Sequence, residues 1–114
     1  MAELFIEPGL TIHYQDFNSK GNPDVLLLHG LGANSESWQL QSPALADAGY
    51  HVIVPDMRGF GQSSFPGGQN NPKVMAGDMV KLMQGLSSEK CHLVGISLGG
   101  TVALELVSAR PEMV

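Results

Sequence analysis

One serine lies in a sequence context that suits a catalytic nucleophile. Ser97 follows a predicted buried strand at residues 91–96, and a helix is predicted to begin at Leu98. Gly95 and Gly99 stand two residues before and two residues after it, which gives the pattern G-x-S-x-G. The pattern alone is weak, but a strand-to-helix turn is the context in which it indicates an exposed nucleophile. The sequence therefore predicts that the Ser97 hydroxyl attacks a substrate.

The two glycines have a steric reason to be there. A sharp strand-to-helix turn presses the backbone on either side of the serine against its neighbours, so Gly95 and Gly99 cannot be replaced by residues with a bulky Cβ. The turn also aims a helix N-terminus at the attacked group, and that end of a helix favours developing negative charge. The alternative is that Ser97 is only a small residue capping the helix, and the flanking glycines favour the nucleophile.

A second glycine-rich turn, Gly30-Leu31-Gly32, follows the predicted strand at residues 25–28. A strand that ends in such a turn leaves backbone N–H groups unpaired at the carboxyl edge of the sheet. The N–H groups of Leu31 and Leu98 can then form a two-donor oxyanion hole, in which loss of one donor has cost about 3–4 kcal/mol of barrier in another enzyme. An ordinary strand-to-helix turn is the alternative. We expect the preceding His29 to stabilise this turn rather than to carry protons.

Two charged residues, Asp56 and Arg58, open a third glycine-containing loop. They can be interpreted as a catalytic acid and an anion clamp, or as a structural brace for a loop that passes near the site. We favour the brace. The irregular stretch that follows, residues 60–71, is rich in Gly, Ser, Pro and Asn and is predicted to lie beside the site.

The elements that position these residues follow an alternating pattern. Two short strands are predicted around Pro8-Gly9, and three nearly continuous apolar runs then predict strands buried on both faces. Helical periodicity lies between and after them. The predicted strands after the first pair are 25–28, 51–54 and 91–96, and the predicted helices are 35–48, 72–86 and 98–109. The order β-β-β-α-β-α-β-α indicates a mostly parallel, doubly wound α/β sheet.

Composition excludes several other classes of protein. The chain has 114 residues, 43% hydrophobic and 15% charged, with a net charge of −5, which suits part or all of one globular domain. No cluster of Lys and Arg favours a nucleic-acid or anionic-membrane surface, and no apolar run is long enough to span a membrane. No basic leader precedes an apolar run, and one cysteine, Cys91, cannot form an internal disulfide. A cytoplasmic location is therefore expected.

Three motifs follow one another along the chain, namely His29-Gly30-Leu31-Gly32, Asp56-x-Arg58-Gly59-x-Gly61-x-Ser63 and Gly95-x-Ser97-x-Gly99-Gly100. Together and in this order they resemble the α/β-hydrolase superfamily. The resemblance covers essentially the whole chain, and it implies that Ser97 is the nucleophile and that the backbone N–H groups of Leu31 and Leu98 form the oxyanion hole. Serine at position 97 points away from the related haloalkane dehalogenases and epoxide hydrolases, which use aspartate there, and Gly32 in place of their usual proline points the same way. Within the superfamily the chain is similar to small esterases, lactonases and carbon–carbon bond hydrolases, which implies a small-molecule substrate.

One departure from the superfamily pattern changes the expectation for this chain. In that superfamily the catalytic acid and histidine follow the serine in chain order. Here the residues after Ser97 contain no His and no Asp, and Glu105 is the only acid in the predicted third helix. The four histidines, His13, His29, His51 and His92, all precede the serine. We therefore predict that residues 1–114 are the N-terminal part of a single hydrolase domain without its C-terminal strands, inactive alone.

The remaining expectations concern core packing, ligands, protein partners and the alternative function. Trp38 is expected to pack the first helix on the sheet, with a place in the pocket wall as the alternative, and Cys91 is expected to be an inert core thiol. No metal-ligand spacing and no phosphate-binding glycine loop occurs in the sequence, so no metal or cofactor is predicted. A complementary C-terminal segment, or self-association through an exposed sheet edge, is the expected protein partner. The alternative function is that of a hydrolase-fold binding protein or pseudoenzyme without turnover.

Overall fold

A mixed five-stranded sheet forms the centre of the computed structural model, which describes every residue from Met1 to Val114. The strands are β1 (Ala2–Glu7), β2 (Leu10–Phe17), β3 (Asp24–Leu28), β4 (His51–Pro55) and β5 (Cys91–Gly95). They lie in the order β1-β2-β4-β3-β5. Strands β3, β4 and β5 run parallel, whereas β1 pairs antiparallel with β2 and β2 pairs antiparallel with β4.

The predicted α/β fold class and the predicted order of elements are confirmed. The parallel part of the sheet consists of the three strands that are joined by helical connections. The two N-terminal strands are antiparallel because the tight Pro8-Gly9 turn joins them, with Gly9 at a φ of +83°. The sheet of this chain is thus mixed, with a parallel half next to an antiparallel half.

Three α-helices cover the sheet, namely α1 (Gln41–Asp47), α2 (Pro72–Gly85) and α3 (Leu98–Ala109). Helices α2 and α3 cover one face, where Met75, Met79 and Met83 form an apolar stripe on α2 and join the larger core cluster. Helix α1 covers the other face, over a smaller cluster of alternate residues from β3 and β4. No helix combines the length and the apolar character needed to cross a bilayer.

The predicted helix at residues 35–48 is wrong as a single element. The structure has a 3-10 helix at Ser35–Trp38 and then the separate α1. The backbone N–H of Ser35 donates to Asp56 Oδ1 (2.7 Å) and that of Glu36 donates to Asn34 Oδ1 (2.9 Å), which fixes the direction of the first turn. Pro43 lacks an N–H and therefore fits the first turn of a new helix better than the middle of a long one.

Strand β5 lies at the edge of the sheet, and both its outer edge and one of its faces are exposed. Because β5 pairs in parallel with β3 only, the backbone groups of alternate residues have no neighbouring strand. Cys91 and Leu93 point towards the larger core, while Val94 and Ile96 on the opposite face are 40% and 57% exposed. An unpaired apolar edge of this kind is a template for pairing with another chain.

We expect the isolated 114-residue chain to self-associate through β5. Val94→Lys should shift the chain towards monomer, because a lysine on an edge strand opposes pairing with a second strand. Leu104→Lys is the matched control, since Leu104 on α3 is 72% exposed but lies off the sheet edge. Sedimentation velocity across a concentration series measures the effect. A monomeric wild-type chain with a sharp cooperative melt, or dissociation by Leu104→Lys instead, would contradict the expectation.

Candidate active site

Ser97 occupies a strained turn between β5 and α3. Its backbone angles are φ 55° and ψ −120°, and it is one of three non-glycine residues with a positive φ. Conformations of this type cost about 1–3 kcal/mol and persist only where the surroundings enforce them. The side chain is exposed and makes no capping hydrogen bond to α3, so the hydroxyl is free to meet a ligand.

Backbone packed against backbone enforces this turn. A Cβ at Gly95 would meet the backbone of Gly99 and would lie 2.7 Å from the Gly100 nitrogen. A Cβ at Gly99 would meet the Leu28 carbonyl oxygen and would lie 2.6 Å from that of His29. The first turn of α3 therefore rests on the last residues of β3, and neither position has room for a side chain.

The same packing brings the two glycine-rich turns together. The Ile96 N–H donates to the Leu28 carbonyl (3.2 Å), which continues the β3–β5 ladder up to the serine. A Cβ built on Gly30 would lie 3.4 Å from Ser97 Cβ and 3.9 Å from Ser97 Oγ. Residues far apart in the sequence are thus neighbours at the carboxyl edge of the parallel strands.

Two backbone N–H groups flank this meeting point without an acceptor in the chain. Leu98 is the first residue of α3, and Leu31 is the second residue of a turn in which the Ala33 N–H donates to the Gly30 carbonyl (3.1 Å). Gly32, the third residue of that turn, has a φ of +75°, as a type II turn requires. Neither the Leu31 N–H nor the Leu98 N–H makes a hydrogen bond within the protein. Leu31 is 76% exposed, so its side chain makes little contact with the rest of the protein and the group that faces the site is its backbone N–H.

His29 lies fully buried beneath this turn. The Met57 N–H donates to its Nε2 (3.0 Å), so Nε2 carries a lone pair and the ring proton is on Nδ1, which lies 2.8 Å from the Gly30 carbonyl oxygen. Burial lowers the pKa of His29, although the Gly30 hydrogen bond and the charge of Asp56 oppose this effect. Both ring nitrogens are occupied, which agrees with the predicted role in stabilising the turn.

Asp56 and Arg58 act as the predicted brace. The buried Asp56 carboxylate accepts the N–H groups of Ser35 and Gln62, and its own carbonyl accepts the Ser63 hydroxyl. Arg58 forms a two-pronged pair with Asp78, at 2.7 Å for each bond, and also contacts Glu7 at 3.1 Å. The paired Asp78 carboxylate raises the pKa of the Arg58 guanidinium, so this cation stays charged in the core.

The partner of Arg58 was missed in the sequence, although a signal for it was present. Asp78 lies between Met75 and Met79 on the apolar stripe of α2, and its side chain is only 4% exposed. A carboxylate on the buried face of a helix requires a partner. The sequence therefore signalled a buried pair without showing which cation completes it.

The other three histidines are engaged away from Ser97. His13 Nε2 pairs with Glu3 (2.9 Å) on the antiparallel side of the sheet. His51 lies between Asp24 (2.8 Å) and Asp16 (2.7 Å), where β3 and β4 begin. His92 is the second residue of β5 and lies next to the ring of Tyr50, at the opposite end of the strand from Ser97.

Trp38 and Cys91 occupy packing positions. Trp38 lies in the 3-10 helix against the smaller core cluster, as expected for packing on the sheet, and its place in a substrate pocket stays a prediction. Burial raises the pKa of the Cys91 thiol to about 12, so this thiol stays protonated at neutral pH. No three His, Cys, Asp or Glu side chains come together in a way that would hold a metal ion.

An exposed, strained serine between a parallel strand and a helix is typical of the α/β hydrolases. The sequence comparison agrees, since residues 23–114 match the family described as the alpha/beta hydrolase fold. The chain belongs to this family.

Three similar proteins include an epoxide hydrolase and an esterase. The AB hydrolase superfamily protein YfhM of Bacillus subtilis is 36% identical over 91% of this chain. Epoxide hydrolase A of Mycobacterium thermoresistibile superposes with a TM-score of 0.89, at 33% identity over 99% of this chain. A thermophilic esterase of Thermogutta terrifontis superposes with a TM-score of 0.85, at 32% identity over 91% of this chain. The chain spans only 37%, 36% and 38% of these three proteins, respectively.

The backbone contact of Gly99 predicts a large difference between two neighbouring glycines. Gly99→Ala should lower the free energy of unfolding by about 2–3 kcal/mol, because its Cβ meets two carbonyl groups of β3 that cannot move aside. Gly100→Ala is the control, since its Cβ would lie 3.6 Å from the nearest atom, the Gly95 oxygen, and alanine favours helices by about 1 kcal/mol. Urea unfolding of both variants measures the effect. Equal stability of the two would contradict the packing described above.

Burial of neutral His29 predicts a loss of stability in acid. The histidine pKa is about 6.5 in the unfolded chain and lower in the folded one, so the unfolded chain binds the proton more readily. Its contribution is therefore fully present above pH about 6.5 and is lost as the pH falls from there towards the folded pKa. Urea unfolding between pH 7.5 and pH 5 should show this slope. His29→Asn should flatten it and His92→Gln, at an exposed position, should keep it; an unchanged slope in His29→Asn would contradict the assignment.

Proposed function

We propose that Ser97 is the nucleophile of a serine hydrolase that acts on an ester, lactone, thioester or other activated carbonyl of a small molecule. The observation that carries the proposal is the strained, exposed Ser97 beside two backbone N–H groups without acceptors, those of Leu31 and Leu98. Strained residues of this kind cluster at functional sites. Two free donors next to a nucleophile are what a tetrahedral oxyanion requires.

The chemistry follows from these groups. Ser97 Oγ attacks the substrate carbonyl carbon and loses its proton to a base, and the carbonyl oxygen becomes an oxyanion held by the two N–H groups. Collapse of this intermediate expels the protonated leaving group and leaves an acyl ester on Ser97. Water activated by the same base then attacks the ester and releases the acid. No step requires a cofactor.

The base and its acid are proposed to come from outside residues 1–114. His29 has both ring nitrogens occupied, His51 lies between two carboxylates, and His13 and His92 lie away from the serine. The relatives are more than twice as long as this chain, which leaves room for a complementary C-terminal segment with both groups. Such a segment would also cover the open edge of β5.

Epoxide opening is the second candidate, because similar proteins carry the name epoxide hydrolase. The nucleophile argues against it. A carboxylate that opens an epoxide forms an ester, which water can cleave at its carbonyl. A serine hydroxyl that opens an epoxide forms an ether, which has no carbonyl for water to attack, so the enzyme would stop after one event. Position 97 is serine, and ester-type substrates are therefore proposed.

We expect a fluorophosphonate probe to label Ser97 in the complete product of the reading frame that encodes this chain. The probe phosphorylates an activated serine and needs both the base and the oxyanion hole. Residues 1–114 alone should label at least about a thousandfold more slowly, because loss of the base in another serine hydrolase cost about 10⁶ in turnover. Mass spectrometry of the labelled peptide measures incorporation, with Ser97→Ala as the blank.

The same preparation separates the candidates. Turnover of a p-nitrophenyl ester, with none of styrene oxide, supports the proposal. Absence of both labelling and turnover in the complete product would contradict the proposal and favour the alternative function, a hydrolase-fold binding protein without turnover. Rapid labelling of residues 1–114 alone would mean that one of the four histidines serves as the base, which would contradict the proposed division.

A further inference from the structure

The peptide bond between Gly30 and Leu31 is held firmly on its carbonyl side and is free on its N–H side. The Gly30 carbonyl oxygen lies 2.8 Å from His29 Nδ1 and accepts the Ala33 N–H at 3.1 Å. The Leu31 N–H, on the other edge of the same peptide, has no acceptor. A planar trans peptide directs its C=O and its N–H in opposite directions, so fixing the carbonyl also aims the N–H.

This peptide would otherwise turn easily. Gly30 has no Cβ and therefore offers little resistance to rotation about its own backbone bonds. The turn bond from Ala33 is a single interaction near the surface, whereas His29 is fully buried. The second donor, from the His29 ring, thus supplies the restraint that glycine itself lacks.

The His29 ring is itself held in the orientation that this role needs. The Met57 N–H occupies Nε2, which leaves the proton on Nδ1, the atom that faces the Gly30 carbonyl. The Phe60 ring packs edge-on against it, with ring centroids 5.3 Å apart and an angle of 76° between the planes. The tautomer and the plane of the ring are both fixed by the loop that Asp56 and Arg58 brace.

We propose that His29 is a positioning residue, which anchors the Gly30 carbonyl so that the Leu31 N–H points at the oxyanion formed on Ser97. The inference rests on the proposed function. His29, which directly precedes the Gly30-Leu31-Gly32 turn, would in this role transfer no proton. It also connects the loop after β4 to the oxyanion hole, because Met57 and Phe60 of that loop hold the ring.

Two substitutions separate the two hydrogen bonds of the ring. The side-chain nitrogen of asparagine lies near the place of Nδ1, so His29→Asn can still donate to the Gly30 carbonyl but loses the acceptor for Met57. The side-chain oxygen of glutamine lies near the place of Nε2, so His29→Gln can still accept from Met57 but loses the donor to Gly30. Both variants lose the ring and one hydrogen bond. Only His29→Gln removes the side-chain donor to the Gly30 carbonyl, which then keeps the Ala33 N–H alone.

The experiment measures fluorophosphonate labelling of Ser97 and ester turnover in the complete reading-frame product, per folded molecule. His29→Gln should lower the labelling rate and kcat about tenfold or more with KM little changed, since removal of a whole donor costs about 10²–10³. His29→Asn should keep at least about a third of the wild-type rate. Thermal melts of both variants give their stabilities.

Each outcome bears on a separate statement. If both variants slow labelling equally, or His29→Gln labels at the wild-type rate, His29 has only a structural role and the positioning proposal is overturned. If wild type does not label while the protein is folded, the proposed function fails and the positioning proposal fails with it. Slow labelling in His29→Gln with recovery in His29→Asn, at comparable stability, supports both.

Discussion

The contact between the first turn of α3 and the end of β3 is the constraint on which the site depends. Gly99 rests on the carbonyl groups of Leu28 and His29, and Gly95 rests on the backbone of Gly99. Because no side chain separates these segments, the β5–α3 turn cannot relax away from β3, and Ser97 between them is held at a positive φ. The strain at the serine is therefore maintained by the packing of backbone on backbone.

A second, polar layer keeps the neighbouring loop in register with that contact. Asp56 ties the loop after β4 to the 3-10 helix, and Arg58 ties it to α2 through Asp78. Burying a charged pair is costly unless hydrogen bonds compensate it, and here Nε and Nη2 of the guanidinium donate to both Asp78 oxygens and to Glu7. These bonds fix the position of the loop after β4. The same loop supplies Met57 and Phe60, which hold the His29 ring.

The sequence predicted those features whose physical cause lies within a few neighbouring residues. The order of strands and helices followed from apolar runs and periodicity, and the turn around Ser97 followed from glycines that have steric reasons to be there. Features set by distant partners were not predictable. The break in the helix expected at residues 35–48 has a local cause in Pro43, but the carboxylate that accepts the Ser35 N–H belongs to Asp56, 21 residues away, and Arg58 pairs with Asp78 20 residues along the chain. Periodicity within one segment carries no information about such a contact.

The histidines show how the parts of a catalytic centre differ in what they require. The proposed nucleophile is a side chain on a turn at the end of β5, and the proposed oxyanion hole consists of backbone N–H groups at the ends of the adjacent parallel strands, so one segment can supply both. A general base must reach the serine from outside that backbone, with one ring nitrogen free and the other oriented by an acid. Within this chain His29 and His51 have each ring nitrogen engaged, and both serve to join strands and loops. On the proposed function, the segment that builds the serine turn is therefore separate from the segment that supplies its base, and His29 would hold the Gly30–Leu31 peptide instead of taking the proton of Ser97.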